Sequence, residues 1–526
     1  MTPVLLPGRR AEAAAVLAGV FYFLAFAGFD VWPLTFITFV PLILALVGQT
    51  PKRAMWLAFL TGLAMNLGGF YWLVNMLKTF SGFPLPLCLL FTTIVCAYQG
   101  GRLAFMGWLY GRATVRGWSA PIVFGAAFVA SELVFPVLFP WYYAATLHKV
   151  PLLMQLADLG GPILPGLALV AINLGLAEPL RARLAKDGSF DRRVVIAGGV
   201  GLFAIVGYGL LRVSLTNAKI AKAESARVGM VQGNMGLIAK RENPGEGLRR
   251  HRQMTAELRD KGVDFVVWSE TSATMAVEEA RAMKTPYFKN TFTASLGVPT
   301  IFGAVLYRYD PDRRRLFNTA LSSDLKGDIT GRYDKQYLLA FGEYLPFGDD
   351  FPILYKWSPN SGAFSPGKSL EPVPVETKGN VHQVSVLICY EDILPGFTNR
   401  AVSHANPELL LNMTNDAWFG DTNEPWQHLA LAKLRAVEHH RYLVRSTNSG
   451  VSAVIDPHGG VVDGTLSRTF QTETHDATIH WLREGTLYEV LGDVPWYLVS
   501  LATFVACFRA RKRREPGPVT EASSAS

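Results

Sequence analysis

Hydrophobic and polar positions divide this chain into two regimes. Over the first 213 residues, apolar stretches of roughly 18 residues or more recur between short polar breaks, the length a helix needs to cross a bilayer. Seven stretches fall at about 11–28, 33–48, 54–75, 85–110, 120–139, 163–180 and 194–213, and an eighth at 493–509. Between 214 and 490 the period shortens. Apolar runs of strand length alternate there with amphipathic segments of helix length, the pattern of an α/β domain. Strands are expected at 227–232, 264–269, 298–307, 316–323, 328–334, 382–389, 409–415, 443–448 and 451–456, with helices at about 245–261, 278–296, 396–404 and 425–441. That order predicts a mixed sheet with helices on one face, or two such layers. The expected organisation is seven membrane helices over 1–213, an α/β domain over 214–490, an eighth membrane helix over 491–512 and a disordered tail over 513–526.

Composition fits a membrane protein, since 50% of the residues are hydrophobic and only 17% charged. A net charge of +8 would suggest nucleic acid if the basic residues lined one soluble face. They do not. Arg9 and Arg10 precede the first span, Lys52 and Arg53 join two to three, Arg112 and Arg116 join four to five, and Arg181, Arg183, Lys186, Arg192 and Arg193 join six to seven. Arg509 and the run Arg511–Arg514 follow the last span, where they read as a topology signal. Basic residues thus occupy every second loop, which places both termini in the cytoplasm and residues 214–490 on the opposite side, the periplasm of a Gram-negative cell. Arg9-Arg10, the apolar run and Ala25-Phe26-Ala27 mimic a signal peptide, but removing that span would leave an odd number and spoil the charge alternation.

Three residues fall where expected strands end: Glu270, Lys335 and Cys389. Strand ends of an α/β fold face a crevice, whereas residues within the strands are buried by the flanking helices. Cys88, Cys96 and Cys507 lie in expected membrane helices, leaving Cys389 alone in the α/β domain. A lone thiol in an oxidising compartment reads as reactive, and also reads as a small hydrophobe in a core strand. A neutral thiol is a poor nucleophile and needs a base or nearby positive charge. Glu270 offers the first and Lys335 the second. The ammonium and the Tyr390 N–H would stabilise an oxyanion formed when the thiolate attacks a carbonyl. Singly, Glu270 and Lys335 read as solvated strand-end charges.

Between Lys335 and the strand at 382–389, two segments, 336–348 and 351–357, are rich in aromatic and aliphatic residues. They read as a lid, as an arm dipping into the bilayer, or as cover packed on the sheet. Arg102 and Glu132 fall within or near spans, as functional groups or as snorkelling helix-end charges. Arg313–Arg315 read as a solvated hairpin tip. His428, His439 and His440 lie on or near one helix with no Cys or acidic residue at zinc spacing, so no metal is expected.

The segments Val267-Trp-Ser-Glu-Thr, Tyr333-Asp-Lys-Gln-Tyr-Leu-Leu-Ala-Phe-Gly-Glu-Tyr-Leu-Pro-Phe, Leu387-Ile-Cys-Tyr-Glu-Asp and Leu411-Asn-Met-Thr-Asn-Asp-Ala-Trp-Phe-Gly resemble the nitrilase superfamily. With the flanking membrane helices, the resemblance narrows to the apolipoprotein N-acyltransferase family and covers nearly the whole chain. It implies a nitrilase-like α/β/β/α sandwich beside about eight transmembrane helices in the bacterial inner membrane. The implied reaction moves the sn-1 acyl chain of a phospholipid, typically phosphatidylethanolamine, to Cys389 as a thioester, and then to the α-amino group of an S-diacylglyceryl-cysteine heading an apolipoprotein. Glu270 would be the base, Lys335 the oxyanion stabiliser with the Tyr390 amide, and Glu343 a second carboxylate holding the lysine or the lid. Asn318, Tyr390 and Glu391 would be supporting residues, and no cofactor is implied. After Val231-Gln-Gly-Asn the family commonly continues with a Pro-Gln pair and a Trp, whereas this chain reads Met235-Gly-Leu-Ile-Ala-Lys-Arg, which bears on donor or acceptor preference. A membrane-tethered amidase with the same triad, and a transporter or receptor with an inert sensor domain, are the competing classes.

Overall fold

The computed structural model describes residues 3–186, 190–236, 244–311, 313–340, 342–348, 350–351, 353–357 and 362–510. The expected tail, 513–526, and most of the divergent stretch after Asn234 lie outside them.

The first part is helical. Three described helices are long and apolar enough to cross a membrane, Leu85–Val115, Ile163–Ala185 and Arg192–Ile220. A fourth span results if Pro51–Gly69 and Leu73–Thr79, bent by 54° at their junction, count as one. The remaining apolar stretches carry shorter helices, Gly8–Leu24, Trp32–Leu46, Ala120–Val134 and Val494–Ala506. Close helix contact rests on small residues: a Cβ on Gly62 would lie 2.5 Å from the Gly100 carbonyl oxygen, and one on Gly107 2.5 Å from that of Ala54. Arg102 and Glu132 are buried rather than snorkelling. They stand 3.8 Å apart, Arg102 donates to the Trp141 carbonyl at 2.8 Å, and Glu132 accepts the Tyr143 N–H at 2.9 Å. The pair thereby pins the segment around Trp141 to two helices.

The second part contains two mixed sheets. The strands are β1 (Ser225–Gln232), β2 (Phe265–Trp268), β3 (Ala273–Glu278), β4 (Thr300–Tyr309), β5 (Arg314–Ser323), β6 (Ile329–Asp334), β7 (Val373–Thr377), β8 (Asn380–Ile388), β9 (Leu409–Thr414), β10 (Leu443–Thr447), β11 (Ala453–Ile455) and β12 (Glu473–His480). The first sheet runs β12-β1-β2-β4-β5-β6 with β3 also paired to β4, and the second runs β11-β10-β9-β8-β7. Alternate residues of both sheets share one core. Val228, Met230, Phe265, Val267 and Ile301 of the first meet Val384, Val386, Leu409, Leu411 and Val444 of the second. At roughly 1.5–3 kcal/mol for each large aliphatic or aromatic side chain removed from water, this face dominates the cohesion of the domain. On the outer faces, Met254 and Leu258 of the Pro244–Asp260 helix cover Val266 and Trp268. Leu429, Ala432 and Ala436 of the Glu424–His439 helix cover Leu410 and Leu443.

The helix expected over 278–296 is broken into two short helices, Glu279–Lys284 and Tyr287–Thr291, and the strand β3 that precedes it was not expected. Pro286 forces that break, because it lacks an N–H and holds Thr285 in extended conformation, φ −126° and ψ 157°. The strands β7 and β12 were not expected. Both are sheet edges, and β7 carries Pro374 while β12 is largely polar, as edges tolerate.

Candidate active site

Each of the three strand-end residues leaves the first or second sheet at the same mouth. Glu270 follows β2 by two residues, Lys335 follows β6 directly and Cys389 follows β8 directly. Two backbones there turn left-handed, Thr271 at φ 49° and Cys389 at φ 51°. Such conformations cost a non-glycine residue about 1–2 kcal/mol and persist only where surroundings fix them. Around Cys389 the fixing is visible. Asn412 Nδ2 donates to the carbonyls of Leu387 at 3.0 Å and Cys389 at 3.3 Å, and Glu391 accepts the Ile388 N–H at 2.7 Å.

Lys335 is buried to 1% exposure between two carboxylates, its Nζ 2.7 Å from Glu343 and 3.6 Å from Glu270. Asn318 on β5 ties the carboxylates together, donating to Glu270 at 2.6 Å and Glu343 at 2.9 Å. Glu343 also accepts the Leu339 N–H at 2.8 Å, so it anchors the segment that follows Lys335. Burial alone would lower the Lys335 pKa, but the charges of Glu343 and Glu270 and the hydrogen bond to Glu343 outweigh it and hold the ammonium well above its usual value. Burial pushes the Cys389 thiol well above the usual range, Lys335 opposes it, and Glu270 and Glu343 push the same way as burial. The resting site therefore holds a thiol, and a thiolate forms only as its proton leaves.

Tyr390 and Glu391 act at different places. The Tyr390 hydroxyl donates to the Leu138 carbonyl at 2.6 Å, bridging to the helical region. Glu391 is fully buried and braces the loop after β6, accepting from the Gln336 N–H at 2.6 Å, the Tyr337 N–H at 3.1 Å and the Tyr333 hydroxyl at 2.9 Å. Burial raises its pKa to about 7 against those donors.

Beside Cys389 opens a cavity with about 490 Å³ of unoccupied space, its outer opening included. Its wall is shared between Phe70, Trp72, Phe139 and Trp141 of the helical region and Tyr390, Phe419, Glu424 and His428 of the α/β domain. The bend after Gly69 puts Phe70 and Trp72 there. Gln427 satisfies the carbonyl that the bend releases, donating to Gly69 at 2.8 Å, and accepts from the Trp72 indole at 3.1 Å. These aromatics gave no signal in sequence, because they sit within uniformly apolar stretches.

The expectation that no acidic residue joins His428 is corrected by the fold. Asp416 and Glu424 each bring an oxygen within 4.8 Å of its ring nitrogen, and Asp392 stands 2.6 Å away on the other nitrogen. Only Glu424, one helical turn before His428, was close enough in sequence to be noticed. Arg445 pairs through Nη2 with Asp416 at 2.9 Å, and through Nη1 with Asp392 at 3.3 Å and the Asn412 side-chain oxygen at 2.6 Å. Ion pairing thus accounts for Asp392, Asp416 and His428 without a metal. His439 and His440 turn elsewhere, to Glu489 and Asp158.

Two family models match the chain: the apolipoprotein N-acyltransferase N-terminal domain over 18–175 and carbon-nitrogen hydrolase over 227–480. Among similar proteins, the apolipoprotein N-acyltransferase of Pseudomonas putida is 30% identical, covering 86% of this chain and 88% of its own length. That of Geobacter metallireducens is 28% identical, covering 96% of each chain, and that of Vibrio cholerae 28%, covering 98% of this chain and all of its own. A solved amidase from a Nesterenkonia species overlaps with 18% identity and a TM-score of 0.36, covering 48% of this chain and 90% of its own. On the extent of its match to full-length relatives, the chain belongs to the apolipoprotein N-acyltransferase family.

Proposed function

We propose that this protein transfers an acyl chain from a phospholipid to the α-amino group of the S-diacylglyceryl-cysteine at the head of an apolipoprotein, with Cys389 as the acyl carrier. The observation that carries the reading is the cavity beside Cys389, whose wall is completed by Phe70, Trp72, Phe139 and Trp141 of the helical region. A thiol acting on a water-soluble amide has no need of such a wall. Lipid chains do, since each CH₂ exposed to water costs about 0.8 kcal/mol.

In the first half-reaction Glu270 takes the Cys389 proton as sulfur attacks the sn-1 ester carbonyl. The developing oxyanion is met by the Lys335 ammonium and the Tyr390 N–H. Collapse expels the glycerol oxygen, which takes the proton from Glu270 and leaves as lysophospholipid. In the second, the acceptor amine attacks the thioester, Glu270 takes its proton, and the departing sulfur recovers it. Glu343 and Asn318 hold the lysine and the base in register, Glu391 braces the loop, and the apolar segment after Lys335 closes over the thioester against water. Phosphatidylethanolamine is the proposed donor.

The basic loops support eight spans in the bacterial inner membrane, with both termini cytoplasmic and an α/β/β/α catalytic domain in the periplasm. The proposed division is 1–213, 214–490 and 491–512, followed by the tail.

Intact-protein mass spectrometry after incubation with phosphatidylethanolamine tests the mechanism. The expected result is an acyl adduct on the wild type, removed by hydroxylamine and absent from Cys389→Ala. A folded wild type that forms no adduct with any phospholipid would sink it.

A further inference from the structure

The cavity beside Cys389 contains a second carboxyl, Glu424, that opens the Glu424–His439 helix and is only 8% exposed. Its Oε2 has no hydrogen-bond partner among the described residues, and its Oε1 stands 3.8 Å from His428 Nδ1, beyond hydrogen-bond reach. Apart from the Trp141 indole N–H, the polar side chains beside it in the wall are engaged: Gln427 with Gly69 and Trp72, the Tyr390 hydroxyl with Leu138, and His428 with Asp392. Charge is also accounted for up to Glu424 and no further. Asp392 and Asp416 face the two cations Arg445 and His428, and among the described residues the third carboxyl is left only the distant His428 that they already engage. Burial, then the charge of Asp416, holds the Glu424 carboxyl well above its usual pKa, which favours its protonated form.

A buried carboxyl without a partner is destabilising, and what would complete it is a cationic N–H donor. The rest of the cavity suits the same group. Phe70, Trp72, Phe139, Trp141 and Phe419 present aromatic rings, which attract ammonium ions. The Trp141 indole N–H also lacks a partner among the described residues and, as a donor, fits a phosphate or carbonyl oxygen on the same ligand.

We propose that Glu424 is the docking site for a primary ammonium group brought to Cys389. The assignment rests on the acyl-transfer reading. Docking releases the Glu424 proton to water and leaves a carboxylate paired with R–NH₃⁺. Where the ligand is the acceptor cysteine, one N–H bond then breaks, its proton returns to Glu424, and the free amine attacks the thioester. One proton is released overall for each amide formed. The ammonium has two sources, the ethanolamine head group of a donor phospholipid and the α-amino group of the acceptor.

The experiment compares wild type, Glu424→Gln and Glu424→Asp, each as the full chain in mixed micelles. One arm measures thioester formation with phosphatidylethanolamine against phosphatidylglycerol, which has no ammonium. The other preloads the enzyme from phosphatidylglycerol and measures transfer to an S-diacylglyceryl-cysteinyl peptide. The expected result for Glu424→Gln is about a tenfold rise in KM for the peptide, a tenfold fall in the preference for phosphatidylethanolamine, or both, with partial recovery in Glu424→Asp. A change confined to one arm supports the proposal and identifies which ammonium docks. Both arms within twofold of wild type, or activity lost to a chelator and restored by a divalent ion, would overturn it. A wild type that forms no thioester with either lipid fails the acyl-transfer reading instead.

Discussion

Replacing Glu343 by Gln separates thiol reactivity from acyl transfer. In the native site Glu343 holds Lys335 at 2.7 Å, accepts from Asn318 at 2.9 Å and accepts from the Leu339 N–H at 2.8 Å. Gln keeps an oxygen for Leu339 but loses the charge that orients the buried ammonium. A hydrogen bond to a charged partner contributes about 1.5–3 kcal/mol, so misdirecting Lys335 lowers the acylation rate roughly 10- to 150-fold. The effect on the thiol has the opposite sign. Glu343 is one of the negative charges that keep the Cys389 pKa high; the buried Lys335, still 3.6 Å from Glu270, loses its aim but keeps its charge near the sulfur, so removing Glu343 favours the thiolate. Iodoacetamide alkylation of Cys389 at pH 8.5 should therefore speed up while single-turnover acylation, followed by intact mass, slows down. Alkylation that slows, or acylation within twofold of wild type, would refute the assignment of Glu343 as the residue that aims the lysine.

Gly303 backs the turn that carries Glu270, and a Cβ there would stand 2.4 Å from the Thr271 nitrogen and 2.7 Å from the Ser269 carbonyl oxygen. Gly303→Ala should displace Glu270 and cost about 100-fold in acylation rate, with the secondary structure measured by circular dichroism retained. Arg102→Met alone leaves Glu132 buried and unpaired and should destabilise by about 3–5 kcal/mol, whereas Arg102→Met with Glu132→Leu should recover most of it in a thermal-shift assay. His428 is raised to about 9 by its carboxylate neighbours against burial and Arg445. Its contribution to stability, on the order of 3 kcal/mol, is therefore fully present below pH 6.5 and lost as pH rises from 6.5 through 9. The melting temperature should fall across that window, and His428→Gln should flatten the fall.

Glu270 and Cys389 were legible because each closes a strongly apolar run, and strands of that kind announce both themselves and their ends, whereas Lys335 follows the mixed strand Ile329–Asp334 and stood out as a charge at its end. Cys389, Lys335 and Glu270 needed no long-range information to be singled out. Their support did. Asn318 was singled out through the family resemblance alone, since by pattern it is an ordinary residue inside β5, and the fold sets it between Glu270 and Glu343. The ion network of Asp392, Asp416, His428 and Arg445 draws on four elements, and no local spacing relates them. Strands β7 and β12 were illegible for a different reason, since an edge is polar or broken by proline to avoid further pairing. Helix count was the least secure reading. Apolar composition persists through residues 135–140, but Pro136 and Pro140 follow a helix that ends at Val134.

The shared wall of the cavity sets an order of events during biosynthesis. Trp72 and Gln427, hydrogen-bonded across it, lie 355 positions apart in the chain. Phe70, Trp72, Phe139 and Trp141 leave the ribosome first, so the aromatic side of the cavity is made before the strand that leads to Cys389. Cys389 consequently meets that side of its surroundings only when the α/β domain docks onto residues made earlier in the chain. A catalytic domain expressed alone would lack Phe70, Trp72, Phe139 and Trp141 on one side of its sulfur. Water would stand where those rings do, and any acyl group loaded there would be spent on hydrolysis.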